Sequence, residues 1–199
     1  HYAARRFYAP LLLSIEDAPP HQSIFLSSDL LEEWQGSVHW ALTTLDGKIL
    51  ASGEQAAHVE PLGVTAVEKL DFSGFLDDDT RRELVFVAEL WQGDRRLTLQ
   101  TAFFVPTKHL SLVDPQINAA LTLNEGLLTI ELSARSLARL VECSLTGASA
   151  EGGVVFSDNY FDLPAQMVIS VTAPLPDGWD LATARAALKV RSIYNTYSK

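Results

Sequence analysis

The chain has 199 residues, 47% hydrophobic and 20% charged, a balance that fills packed cores and excludes a disordered tail. Its 25 acidic and 15 basic side chains leave a formal charge of −10, which excludes the Lys/Arg-rich surface needed for nucleic acid or an anionic membrane. The single cysteine, Cys143, excludes an intrachain disulfide, and the sequence has neither a signal-peptide pattern nor an apolar run of about 18 residues.

This length suits two domains of about 100 residues better than one small domain. Tyr2, Ala3, Arg6 and Phe7 share one helical face, and Pro10 stops that turn. So short a helix does not hold by itself in water. Residues 1–10 therefore read as the end of a preceding element and a linker.

Short strands punctuated by turns follow. Residues 11–15 form a first run, closed by Pro19-Pro20, and residues 23–27 a second. Residues 38–43 lead into Asp46-Gly47, a hairpin signal because Gly tolerates positive φ. Runs at 49–59 and 64–72 precede the charged Asp77-Asp78-Asp79 loop. Residues 84–91 and 96–105 form the clearest hairpin, with Gln92-Gly93-Asp94 at its tip. Seven such runs in about 100 residues is the number expected of an immunoglobulin-like sandwich.

Pro106 and Val113-Asp114-Pro115 interrupt the pattern, so residues 106–115 are expected to be an exposed linker. Strands resume at 117–123, turn at Asn124-Glu125-Gly126 and return at 127–132. Further runs lie at 137–145, 154–156, 166–172 and 187–194; residues 180–187 fit one helical turn or a loop. The fold class expected is all-β, as two tandem immunoglobulin-like β-sandwich domains over residues 11–106 and 107–199.

Chemistry is sparse in these residues. Glycoside cleavage requires two carboxylates facing each other across a sugar, and no βαβ alternation builds a barrel to hold them. Glu32-Glu33 and Asp77-Asp78-Asp79 read as solvated loop charges. The Asp77 run lacks the Gly-centred array of a calcium loop, and no nucleophile-elbow, phosphate-loop or zinc-protease motif occurs. The five histidines are scattered, and Cys143 sits in an apolar run as a small buried hydrophobe. No catalytic, cofactor-binding or metal residue is therefore assigned, and no cofactor is expected.

Tryptophans are the remaining candidates. Trp40 alternates with His39 and Ala41, so it shares a face with Val38 and Leu42 and is expected in the core. Trp34 in the Glu33-Trp34-Gln35-Gly36 loop, Trp91 beside Gly93, and Trp179 after Pro176-Asp177-Gly178 are the candidates for sugar stacking through an exposed ring.

The most informative stretch is Val154-Val155-Phe156-Ser157-Asp158-Asn159-Tyr160-Phe161-Asp162-Leu163. It reads as a strand entering an Asx-type turn, with Asp158 and Asn159 capping the turn. Phe156, Leu163 and at least one of Tyr160 and Phe161 then point into the core. Phe156 to Leu163 resembles a segment of the C-terminal β-sandwich of family 2 glycoside hydrolases of the β-mannosidase kind. Arg6-Phe7-Tyr8-Ala9-Pro10 resembles the exit from the last helix of their catalytic barrel. The hairpin after Trp40 at Asp46-Gly47, the Leu123…Glu125-Gly126 turn, and the ending Leu188-Lys189-Val190-Arg191-Ser192-Ile193-Tyr194 agree with that family, and the resemblance covers nearly the whole chain.

The resemblance implies a non-catalytic C-terminal accessory region of an exo-glycosidase that releases terminal β-mannosides with retention. Its partner is the catalytic (β/α)8 barrel of the same parent chain, and oligomer contacts with a second copy are a further role. None of that family's catalytic residues has a counterpart here. The alternatives are an independent carbohydrate-binding module and an adhesive tandem of immunoglobulin-like domains. Three exposed tryptophans on one face would favour the former; an apolar patch near the N-terminus would favour a neighbouring barrel.

Overall fold

A computed structural model describes residues 1–147 and 154–197. The chain divides into two compact units, one of His1 and Ala3–Ser111, the other of Tyr2 and Leu112–Lys199. Each is an antiparallel immunoglobulin-like sandwich.

A short helix, α1 (Tyr2–Phe7), opens the chain and ends before Pro10. Seven strands follow: β1 (Leu11–Ala18), β2 (His21–Ser28), β3 (Trp34–Thr44), β4 (Ile49–Val59), β5 (Val64–Asp71), β6 (Leu84–Gln92) and β7 (Arg95–Phe103). They form two sheets ordered β1-β2-β5 and β4-β3-β6-β7. The chain changes sheet between β2 and β3, between β4 and β5, and between β5 and β6, the over-and-back connection of Greek-key sandwiches.

Period-two alternation explains the core. Leu13, Ile24 and Leu26 meet Val38, Leu42, Phe86, Ala88 and Leu90 from the facing sheet. Trp40 joins them, its ring 6.1 Å from that of Phe72 and 6.2 Å from that of Phe86. Its indole N–H donates to Glu68 Oε2 on β5 at 2.7 Å, which satisfies the polar end of a large apolar ring. Gly53 on β4 makes room for that ring, since a Cβ there would lie 2.7 Å from Trp40 Cζ2.

Trp34 corrects the loop expected of its neighbours. It begins β3 in register with Val59 and is buried in the first core, with 6% exposure. Gly36 is what permits this: a Cβ there would meet Trp91 O at 2.2 Å and Trp34 Cη2 at 2.3 Å. The polar neighbours of Gly36 suggest a loop, but the close approach places it inside the strand.

The second unit has β8 (Asn118–Asn124), β9 (Leu127–Ser133), β10 (Ala138–Leu145), β11 (Phe161–Leu163), β12 (Val168–Pro174), α2 (Leu181–Ala187), β13 (Leu188–Arg191) and α3 (Tyr194–Tyr197). Its sheets are ordered β12-β9-β8 and β11-β10-β13. Leu128, Ile130, Leu132 and Val171 on one sheet pack toward Val141, Cys143 and Leu163 on the other. The β8–β9 turn has positive φ at both Glu125 (48°) and Gly126 (77°), the twist that suits a two-residue hairpin. Asp180 caps α2 by accepting from Thr183 N at 2.7 Å, which settles the 180–187 stretch as a helix.

Three further expectations change. Residues 154–156 form no strand; the strand of this segment is β11, seven residues after its start. The last run stops at Arg191, and Tyr194 begins a helical turn. Residues 106–115 are not simply exposed: they include a 3₁₀ turn at Thr107–His109, and Leu110 and Pro115 are buried. Arg82 Nε donates to His109 O at 2.8 Å and Ser111 N to Arg82 O at 3.0 Å, so the connector is fastened to the first unit. Among the described residues, no helix is long and apolar enough to cross a membrane.

Candidate functional site

In the second unit, the segment after Phe156 lies along the free edge of β10. Phe161 is in register with Val141 and Leu163 with Ala138. Tyr160 N donates to Val141 O at 2.7 Å, with Tyr160 in the left-handed region at φ 57°. Beyond it a side chain replaces the strand. Asn159 Oδ1 accepts from Cys143 N at 2.7 Å, and Asn159 Nδ2 donates to Cys143 O at 2.9 Å. A primary amide has the same donor and acceptor as a peptide group, so Asn159 extends the ladder by one rung.

The segment is held from both sides. Asp158 Oδ1 accepts from Asn159 N at 2.7 Å, fixing the turn. Ser157 reaches the other sheet, its N donating to Thr172 O at 2.6 Å while its Oγ accepts from Thr172 N at 2.8 Å. Asp162 takes a forked contact from Arg139 (Nε 3.2 Å, Nη2 3.1 Å) and the N–H of Leu140, whose φ of 51° marks a bulge in β10. Phe156, Phe161 and Leu163 are buried, whereas Tyr160 is 48% exposed. The Tyr160 hydroxyl donates to Glu142 Oε1 at 2.9 Å, and that bond to a carboxylate pushes its pKa up.

This arrangement assigns the polar residues to backbone. Asn159, expected to cap the turn, bonds instead to a strand on the same sheet, and only Asp158 caps. Arg139 and Asp162 lie 23 positions apart, so no local pattern in the sequence pairs them.

The tryptophans differ in their surroundings. Trp34 is buried, which removes it as a stacking surface. Trp91 is half-buried and lies flat on His39, with ring centres 5.4 Å apart at 20°. Its indole N–H is buried without an acceptor. Trp179 packs against the second core.

One grouping superficially suggests nucleophilic catalysis. Ser37 Oγ lies 2.9 Å from His39 Nε2, and Glu54 Oε1 lies 3.4 Å from the same nitrogen. A relay needs serine and carboxylate on opposite ring nitrogens, so these three do not form one. The loop carboxylates serve turns: Asp77 Oδ1 accepts from Asp79 N and Thr80 N, and the Thr80 bonds hold its pKa below the usual carboxylate value. Among the described residues, no three His, Cys, Asp or Glu side chains gather as a metal site.

The first unit carries an apolar pole where β2 ends and β3 and β5 begin. Pro10 O accepts from Asp29 N, Leu30 O from Leu62 N, and Gly63 O from Ser28 N, so three chain segments lie side by side. From them project Phe7, Tyr8, Leu31, Leu62 and Val64, all exposed. Phe7 and Tyr8 pack edge to face at 5.4 Å.

Residues 22–109 match the family model described as a Mannosidase Ig/CBM-like domain, and residues 112–196 match the mannosidase model described as an Ig-fold domain. Among solved structures, a β-D-mannosidase from Dictyoglomus thermophilum superposes with a TM-score of 0.83 at 19% identity, over 96% of this chain and 22% of that one. An exo-chitosanase from Amycolatopsis orientalis superposes with a TM-score of 0.65 at 15% identity, over 96% of this chain and 26% of that one. The chain thus spans about a quarter or less of these structures' lengths. No curated protein sequence matches it.

Proposed function

We propose, for a chain whose two halves belong to the Mannosidase Ig/CBM-like and mannosidase Ig-fold domain families, a role as the non-catalytic C-terminal accessory region of a β-mannosidase-like exo-glycosidase. The observation that carries this reading is the succession of the two domain families along the chain. On this reading residues 1–10 complete a preceding (β/α)8 catalytic barrel, and residues 11–106 and 107–199 are the two sandwiches behind it. The parent hydrolyses terminal β-mannosides with retention. The sandwiches support that barrel, and contacts with a second copy are a further role of the same surfaces.

The test is the longer protein that contains this chain. It should cleave an aryl β-mannoside faster than an aryl β-glucosaminide, with the β-anomer of mannose appearing first by proton NMR. A preference for the glucosaminide, or first appearance of the α-anomer, counts against this reading.

A further inference from the structure

We infer that Tyr2 is a latch: its side chain docks on the Phe156–Tyr160 segment of the second unit and couples the order of the chain's first residues to the strand edge that Asn159 completes. The coupling does not rest on the activity proposed above. The Tyr2 hydroxyl accepts the N–H of Phe156 at 3.3 Å, a bond that spans 154 positions. Its ring lies 6.2 Å from that of Tyr160, tilted by 56°, within the range in which aromatic pairs attract. These contacts place Tyr2 with the second unit, whereas the next residue, Ala3, is counted with the first.

Both ends of the contact need it. Residues 154–156 lie in no sheet, so the Phe156 N–H takes its acceptor from a side chain instead. From Ser157 onward the segment is tied to its own unit, Ser157 to Thr172, Asn159 to Cys143 and Tyr160 N to Val141 O. Tyr2 adds the first tie of this series. Helix α1 has the matching need, since six residues do not hold a helix by themselves. Tyr2 and Arg6, one turn apart on one face, are the half-buried residues of an otherwise exposed helix.

Tyr160 carries the coupling onward. Its φ of 57° is a conformation that a bulky side chain resists. It is held there by its N–H on Val141 O and by its hydroxyl on Glu142 Oε1, and the Tyr2 ring packs beside its own. The residue before it is Asn159, whose amide pairs with Cys143 in both directions. Withdrawing Tyr2 therefore loosens a strained residue next to the side chain that completes the β10 edge.

The test is amide hydrogen exchange, read residue by residue, in the 199-residue chain and its Tyr2→Phe, Tyr2→Ala and Tyr8→Ala variants. Tyr2→Phe removes the acceptor and keeps the ring, so the Phe156 amide should exchange about tenfold faster, the effect of one lost hydrogen bond, with Tyr160 unchanged. Tyr2→Ala removes both, and the amides of Tyr160 and Cys143 should speed up as well, by at least about threefold. Tyr8→Ala, at an exposed residue of the same entry segment, should change none of them. Amides of β6 in the first unit are the reference and should exchange alike in all four chains, which separates a local latch from general unfolding. Unchanged exchange at Phe156 in either Tyr2 variant, or at Cys143 in Tyr2→Ala, overturns the inference. So does an equal acceleration in Tyr8→Ala, or one that β6 shares in full.

Discussion

The side-chain amide of Asn159 pairs with the backbone of Cys143 in both directions, accepting from its N–H at 2.7 Å and donating to its carbonyl at 2.9 Å. Both residues are buried, Asn159 to 5% exposure. A strand edge in a core must be satisfied, and here one side chain does what another residue of β11 would otherwise do.

Asn159→Ala should therefore destabilise the second unit by about 2–4 kcal/mol, because two buried backbone groups lose their partners. Amide hydrogen exchange at Cys143 should speed up with it. Unchanged protection at Cys143 would show that water or a neighbouring strand replaces the amide.

Cys143 gives a pH prediction. Burial, with a smaller contribution from the Glu142 charge, pushes its thiol from 9.0 up to about 12. The raised folded-state value means that the unfolded chain loses this proton first as pH rises. The contribution is thus fully present below about pH 9 and falls by about 1.4 kcal/mol per unit between about 9 and 12. Denaturant titrations at pH 8 and pH 10 should show a larger loss for the parent chain than for Cys143→Ala. Equal losses would contradict it.

The two aromatics of the motif should behave differently. Phe161→Ala removes a buried ring and should cost the second unit about 3–5 kcal/mol. Tyr160→Phe loses one exposed hydrogen bond to Glu142 and should cost less than about 1 kcal/mol. Calorimetry of both variants checks the contrast; a larger effect at Tyr160 would mean that its hydroxyl has a role beyond the strand edge.

Gly53→Ala tests the first core. The new methyl would lie within 2.7 Å of the Trp40 ring, which Glu68 holds by its indole N–H. Overpacking of this kind should cost about 1–3 kcal/mol and weaken the Trp40–Glu68 bond. An unchanged tryptophan emission and an unaltered midpoint would show that the indole moves aside freely.

How far the sequence discloses this molecule depends on whether a residue's role is local. The strands of the first unit are legible because burial alternates, as in β2, where Gln22, Ile24, Leu26 and Ser28 point inward. The turns at Gly47 and Gly126 are legible because positive φ has a residue signature. Trp34 is not, because its polar neighbours and Gly36 imitate a loop and only the packed ring shows that Gly36 clears space. Val154-Val155 has strand propensity without a partner strand, so propensity alone misplaces the strand that forms at β11. Asp158 could be foreseen as a turn cap, whereas the Asn159 bond to Cys143 spans 16 residues and exists only in the folded register.

In the role proposed above, these residues supply architecture to a glycosidase and no chemistry of their own. The direct measurement is release of nitrophenol from p-nitrophenyl β-D-mannoside by the isolated 199-residue chain beside the longer protein that contains it. The expected result is turnover by the longer protein and none above the buffer blank by the chain. Turnover by the isolated chain, abolished by substituting acids within it, would contradict the claim.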